Sequence, residues 1–187
     1  MPHSRPFRWL RLCAALLALL VSAPAPLPAA RITMDDLARI HDKLIQTSVG
    51  YGAIPSIYRP RYGSAADADL SMDKQDQVFV VMFPDGPRIY PQRIMVWHQV
   101  VNEIIEDIAY AVTYCPITGC LAAYVANVDG LNLIFDTEGR LYDGNTVLID
   151  RNTGSLWLQL LGMGIEGQLM GRGLNMLPVY WTTWAAA

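Results

Sequence analysis

The chain opens on its longest apolar run. Arg5, Arg8 and Arg11 precede an uninterrupted stretch from Leu12 to Val21, and a small-residue segment broken by prolines, SAPAPLPAA, follows it. These are the three parts of a secretory signal. About ten apolar residues are too few to cross a bilayer comfortably, so an uncleaved anchor helix is the weaker of the two readings. Residues 1–30 are therefore expected to be a signal cut between Ala23 and Ala30. No paired arginines precede the apolar core, which favours the general secretion route over the twin-arginine one. Cys13 lies inside that core without the small residues that lipid attachment requires.

After residue 30 the rhythm changes twice. Thr33 can cap a helix, Asp35 and Asp36 suit its positive end, and Leu37, Ile40, Leu44 and Ile45 form an apolar stripe at helical spacing. A helix is expected within 31–50, ended by Gly50 and Gly52. Residues 52–62 (GAIPSIYRPRY) carry two prolines and read as an ordered extended segment. From Gln77 the β signal dominates. QVFVVMF is followed by a Pro-Asp-Gly-Pro turn and a returning strand over 88–95. Residues 97–105 (WHQVVNEII) switch to helical spacing. Strands are then expected over 108–114 and 121–128, and glycines at 130, 139, 144 and 154 punctuate further short strands. The expected fold class is α+β. It consists of a single β-rich domain over 51–187, built of short, mainly antiparallel strands, with one N-terminal helix and one short internal helix.

Composition limits the function classes. Hydrophobic residues make up 52% of the chain and charged ones 17%, which excludes an intrinsically disordered protein. The net charge is −3, and it becomes −6 once the three arginines of residues 1–30 are removed. No basic tract is present, so no nucleic-acid partner is expected. If the signal is cleaved, no membrane span remains. The product is then a periplasmic or secreted domain with Cys115 and Cys120 in a compartment that permits disulfides.

Two segments carry the candidate chemistry. His98 and Asn102 are four apart and share a face if 97–105 is helical, so the amide would fix the imidazole tautomer. Cys115 opens a tight turn, Cys-Pro-Ile-Thr-Gly-Cys, in which four residues separate the two cysteines. Three readings stay open for these thiols: a Cys115–Cys120 disulfide, a low-pKa nucleophile or metal ligand at Cys115 activated by His98, or two small buried residues. Asp150 and Arg151 end one strand, and Trp157 sits on the next. No phosphate-cradling loop, Gly-x-Ser-x-Gly elbow or His-Glu-x-x-His helix is present.

The ordered motifs GAIPSIYRPRY, RIYPQRIMVWHQVVNE, TYCPITG, YDGNTVLIDRNTGSLW and LPVYWTTW resemble those of the bacterial and archaeal family called domain of unknown function 3179. The likeness covers about Gly52 to Trp184. Residues that match by position include Tyr90, Pro91, Arg93, Trp97, His98, Asn102, Tyr114, Cys115, Asn145, Asp150, Arg151, Trp157 and Gln159. Gln99 stands where the family usually has Glu, Glu103 where it usually has Asp, and Thr118 where some members have a second cysteine. The resemblance implies an exported or membrane-associated globular domain and no particular reaction or cofactor. It groups His98, Cys115 and Asn102 as candidate catalytic residues. Arg93, Tyr114, Asn145, Arg151 and Trp157 are candidate substrate-binding residues. One alternative is a copper or zinc site on Cys115 and His98, which His41 and Cys120 could complete. The other is a non-catalytic ligand groove lined by Trp97, Trp157 and prolines.

Overall fold

A computed structural model describes residues 33–187; the expectations for residues 1–30 lie outside the described residues. Helix α1 (Met34–Asp42) starts at a capping box in which Thr33 and Asp36 bond each other's backbone amides. The helix is shorter than its apolar stripe suggested. Lys43 caps it, and β1 (Leu44–Gln46) pairs at once with residues 140–142, which leaves Ile45 exposed. The extended segment that follows contains β2 (Ile57–Tyr58) and leads to α2 (Ala65–Asp69), a short helix that the periodicity did not announce.

Strands β3 (Gln77–Phe83) and β4 (Gly86–Pro91) form a hairpin, and α3 (Gln92–His98) begins where the returning strand was expected to continue. It stops at Gln99, whose φ of 58° is left-handed. From there β5 (Val100–Ile105) is a strand, which corrects the helical reading of 97–105. The reason is burial on both faces. Val100 and Val101 are both fully covered, so polar–apolar alternation, the usual signature of a strand, is missing.

The chain continues through β6 (Ile108–Cys115), β7 (Cys120–Val125), β8 (Asn127–Val128) and β9 (Leu131–Asn132). It then forms β10 (Phe135–Tyr142), β11 (Asn145–Asp150), β12 (Leu156–Leu158) and β13 (Met163–Glu166). Last come β14 (Asn175–Met176), β15 (Val179–Thr183) and a 3-10 turn, Trp184–Ala186. The β10–β11 connection is a two-residue Asp143-Gly144 turn with φ of 46° and 82°, the left-handed pair that suits tight hairpins. Gly139 interrupts β10 at a register shift; with φ at 102°, it leaves room for the Val49 carbonyl where a Cβ would collide.

The strands assemble into layers. One sheet has the order β1-β10-β11-β12-β13, a second β14-β7-β6-β5-β2 and a third β15-β3-β4, with β8 and β9 paired separately. Among the described residues every pairing is antiparallel except β2 with β5. The fold is thus strand-rich and mainly antiparallel, as expected. The β6 sheet is the middle layer. Tyr110, Val112 and Tyr114 pack toward the β3 sheet with Phe79, Val81 and Met95. The small residues Ala109 and Ala111 pack the other way, against Phe135, Leu148 and Trp157. Helix α1 covers the far face of the β11 sheet with Leu37 and Ile40 on Val147, Leu156 and Ile165. Among the described residues no helix is long and apolar enough to cross a membrane.

Asn102 ties the middle sheet to the β11 sheet. Its Nδ2 donates to the Phe135 carbonyl at 2.9 Å, and the Phe135 N–H donates to its Oδ1 at 2.8 Å. Asn102→Leu leaves two buried backbone groups without partners, and we expect it to cost ~3 kcal/mol of stability. Urea denaturation checks this; a loss smaller than ~1 kcal/mol would show that water or a rearranged neighbour replaces the amide.

Candidate functional site

Cys115 ends β6, and strand alternation points it toward the β11 sheet, on the same side as Ala109, Ala111 and Thr113. The hairpin to β7 closes with Gly119 at a φ of 66° and puts Cys115 directly opposite Cys120, both as free thiols. The Cys115 side chain is buried, and Sγ lies 3.8 Å from the Gly144 carbonyl. Burial pushes its thiol pKa up. The hydroxyls and backbone amides of Thr118 and Thr146 outweigh that and hold it below the ordinary thiol value. An amide shell surrounds this pair of threonines. Asn145 Nδ2 donates to Thr118 Oγ1 at 3.0 Å and to Gln159 Oε1 at 2.9 Å. Thr146 Oγ1 donates to Gln99 Oε1 at 3.4 Å, and Gln159 Nε2 donates to Thr113 Oγ1 at 2.9 Å. Backbone pairing fixes the shell: the Gln99 carbonyl, at the end of α3, accepts the Tyr114 N–H at 2.7 Å.

Of the expected site residues, Asn145 alone joins Cys115 in this network. His98 ends α3 near the same edge of the middle sheet, but its Nδ1 bonds the Pro55 carbonyl at 2.7 Å. A carbonyl only accepts, so Nδ1 carries a proton in this bond. Among the described residues no hydrogen bond links His98 to Cys115. Asn102 does not orient His98, because β5 is extended and its amide is committed to Phe135. Arg151 is spent on Asp136, with Nη2 at 3.2 Å from Oδ1, and its guanidinium stacks on the Tyr58 ring at 4.3 Å. Tyr114 is buried, and its hydroxyl accepts from Gln92 Nε2 at 3.0 Å. Trp157 is fully buried, donates from Nε1 to Asp150 at 3.0 Å and meets Phe135 edge-on, so it lines no pocket. Trp97 is 76% exposed.

The metal alternative finds no ligand set. Among the described residues no three His, Cys, Asp or Glu side chains come together as ligands. His41 is at the β13 edge, with Nε2 at 3.2 Å from the Ile165 carbonyl.

Four polar side chains at the thiol escaped the motif reading as site residues: Thr118, Thr146, Gln99 and Gln159. Gln99, Thr118 and Thr146 lie inside the quoted segments and Gln159 is among the residues matched by position, but nothing in the motifs marked which way their side chains face.

The family described as "Protein of unknown function (DUF3179)" matches residues 51–187. The chain belongs to this family. No curated protein and no solved structure matches it. In this DUF3179 domain the matching motifs converge on two places. TYCPITG and the Asn145 and Gln159 segments build the thiol shell. The Tyr90-Pro91 segment borders a groove on the opposite face of the middle sheet.

That groove, about 840 Å³, runs between residues 57–72 and the β4–α3 segment. Arg93, an expected substrate residue, lines it but is paired with Asp76 and the Ser71 carbonyl. Behind the groove's Tyr62 and Tyr90, Glu103, next to Asn102 but facing the other way, is buried. It accepts from the hydroxyls of Tyr90, at 2.7 Å, and Tyr62. Arg88 stacks on the Phe83 and Tyr62 rings and pairs with Asp85, and its buried Nη1 lies 3.8 Å from Glu103 Oε2.

Burial pushes the Glu103 carboxyl up to about 7. In the unfolded chain a glutamate titrates near about 4.3. Between these values the folded protein holds a proton that the unfolded chain has released, so stability falls as pH rises from about 4.3 toward about 7. Glu103→Gln keeps an acceptor for both tyrosines and removes the titration. Urea midpoints across this window are expected to fall in the wild type and to stay flatter in the variant. Identical slopes would mean that other groups set the pH dependence.

Proposed function

We propose that this is an exported domain with a thiol centre, in which the Cys115 thiolate acts as a covalent nucleophile toward an electrophilic substrate. The observation that carries the reading is the set of hydroxyl and amide donors from Thr118 and Thr146. They favour a thiolate even in a buried setting, and the thiolate is the nucleophilic form. The amides and hydroxyls that hold the sulfur's charge would equally serve an oxyanion formed beside it. Half-exposed Asn145 and Gln99 border the thiol and supply hydrogen bonds for a polar substrate. The motif match alone keeps His98 as a candidate base toward the substrate, since its Nδ1 is held by the Pro55 carbonyl and no hydrogen bond joins it to Cys115 among the described residues. The architecture we assign is α+β, short helices on a body of strands.

Ionisation of Cys115 tests the reading directly. In a Cys120→Ser background, the ultraviolet thiolate absorbance and the rate of iodoacetamide alkylation are followed against pH. The midpoint is expected below the free-thiol value of about 8.5. Thr146→Val should raise it, and His98→Ala should leave it in place. A midpoint near the free-thiol value that ignores Thr146→Val would overturn the thiol centre.

For the export step, we propose that residues 1–30 direct secretion and are removed between Ala23 and Ala30. Mass spectrometry of protein recovered from the secreting host is expected to give a mature N-terminus in that interval. An intact Met1 or a membrane-bound product would replace this with the anchor reading.

A further inference from the structure

The groove behind Tyr90 lies across the middle sheet from Cys115, and the thiol reading leaves it unused. Its walls are mainly apolar, with Ile57, Ile89, Ile94 and Val101 along its length. Its charged lining consists of Arg61, Arg88, Arg93 and one carboxylate, Asp67. Most of these charges are already engaged. Arg88 pairs with Asp85, Arg93 with Asp76, and Asp67 accepts from the Ser64 N–H and hydroxyl at the start of α2. Arg61 differs: its side chain is exposed and, among the described residues, has no ion-pair or hydrogen-bond partner. The buried Nη1 of Arg88 faces the Glu103 carboxylate at 3.8 Å, so this guanidinium is compensated as well. An apolar trough with one uncompensated guanidinium complements a ligand with an apolar body and a single negative head.

We propose that this groove binds an amphiphilic carboxylate, with its chain along the isoleucines and its head paired to Arg61. A carboxylate suits the planar guanidinium fork because two parallel N–H···O bonds form at once. A monoanion matches the single free charge, whereas a more highly charged head would meet Asp67 and the carboxylates that already hold Arg88 and Arg93. The apolar trough supplies most of the contact area, as in other small-molecule sites, and the arginine fixes the orientation.

Octanoate is the probe. Isothermal calorimetry on the mature chain, with Trp184 fluorescence as a second readout because Trp184 lines the groove, is expected to give saturable one-site binding. Arg61→Met is the variant of choice, since an exposed side chain without partners is lost at no cost to the fold. It should weaken octanoate at least roughly tenfold, the loss of a charge-assisted hydrogen bond. Ile94→Asp, at another partly exposed position, should weaken it as well. Raising the salt concentration should weaken binding to the wild type and affect Arg61→Met less. Octanol binding as tightly as octanoate would reduce the groove to a plain apolar surface, and acetate binding equally well would reduce it to a plain charge. Either result, no saturable octanoate signal, or an unchanged affinity in Arg61→Met overturns the proposal. None of these outcomes depends on Cys115, so the groove and the thiol centre stand or fall separately.

Discussion

The fold depends on one side-chain amide acting as a piece of backbone. Asn102 offers a donor and an acceptor to the carbonyl and N–H of a single residue, Phe135, as a neighbouring strand would. β5 and β10 belong to different sheets, and this pair of bonds joins them where no ladder runs. The small side chains of Ala109 and Ala111 let the two layers meet over Phe135, Leu148 and Trp157. That approach brings Gly144 and Thr146 up to Cys115. The thiol's surroundings are therefore a product of sheet-to-sheet packing: Thr118, Thr113 and Gln99 come from the sulfur's own layer, and Asn145, Thr146 and Gln159 from the other.

The same economy applies to the extended segment between α1 and α2. An irregular stretch with two prolines offers few backbone bonds, and side chains make up the difference. Pro55 is held by His98, and the backbone N–H of Arg59 donates to the Asn102 carbonyl at 3.0 Å. Tyr58 is held by Asp136, whose carboxylate also takes Arg151. Burial raises the Asp136 pKa, but the bonds from Arg151 and Tyr58 prevail and hold it below the usual carboxylate value. Polar residues that looked like a catalytic assembly turn out to fasten a loop.

This sets the limit of what the amino-acid order made legible. Turn residues such as Asp143-Gly144 and the β-branched run at 77–83 were readable because their conformations are local. The ordered motifs located the family and contained the segments that surround Cys115. The hydrogen-bond partners of His98, Asn102 and Arg151 were not legible, because a motif names donors and acceptors but not what they bond. Those partners, Pro55, Phe135 and Asp136, are backbone or distant in sequence. The helical reading of 97–105 failed for a related reason: a strand covered on both faces has no polar side to betray its period. Glu103 and Thr146 carried little signal on their own, since their significance comes from which layer each one faces.

Asn102 and Glu103 are adjacent, yet one fastens the middle sheet to the β11 sheet and the other holds Tyr62 and Tyr90, which line the groove. The strand's two-residue period assigns them to opposite sides, so their order cannot be exchanged without exchanging their tasks. An insertion or deletion of a single residue within β5 would turn the carboxyl toward Phe135 and the amide toward the tyrosines, damaging both places together. Length along this stretch is therefore under tighter constraint than the identity of most residues in it. Loop-length variation in relatives should fall outside Val100–Ile105, at the exposed turns that join the layers.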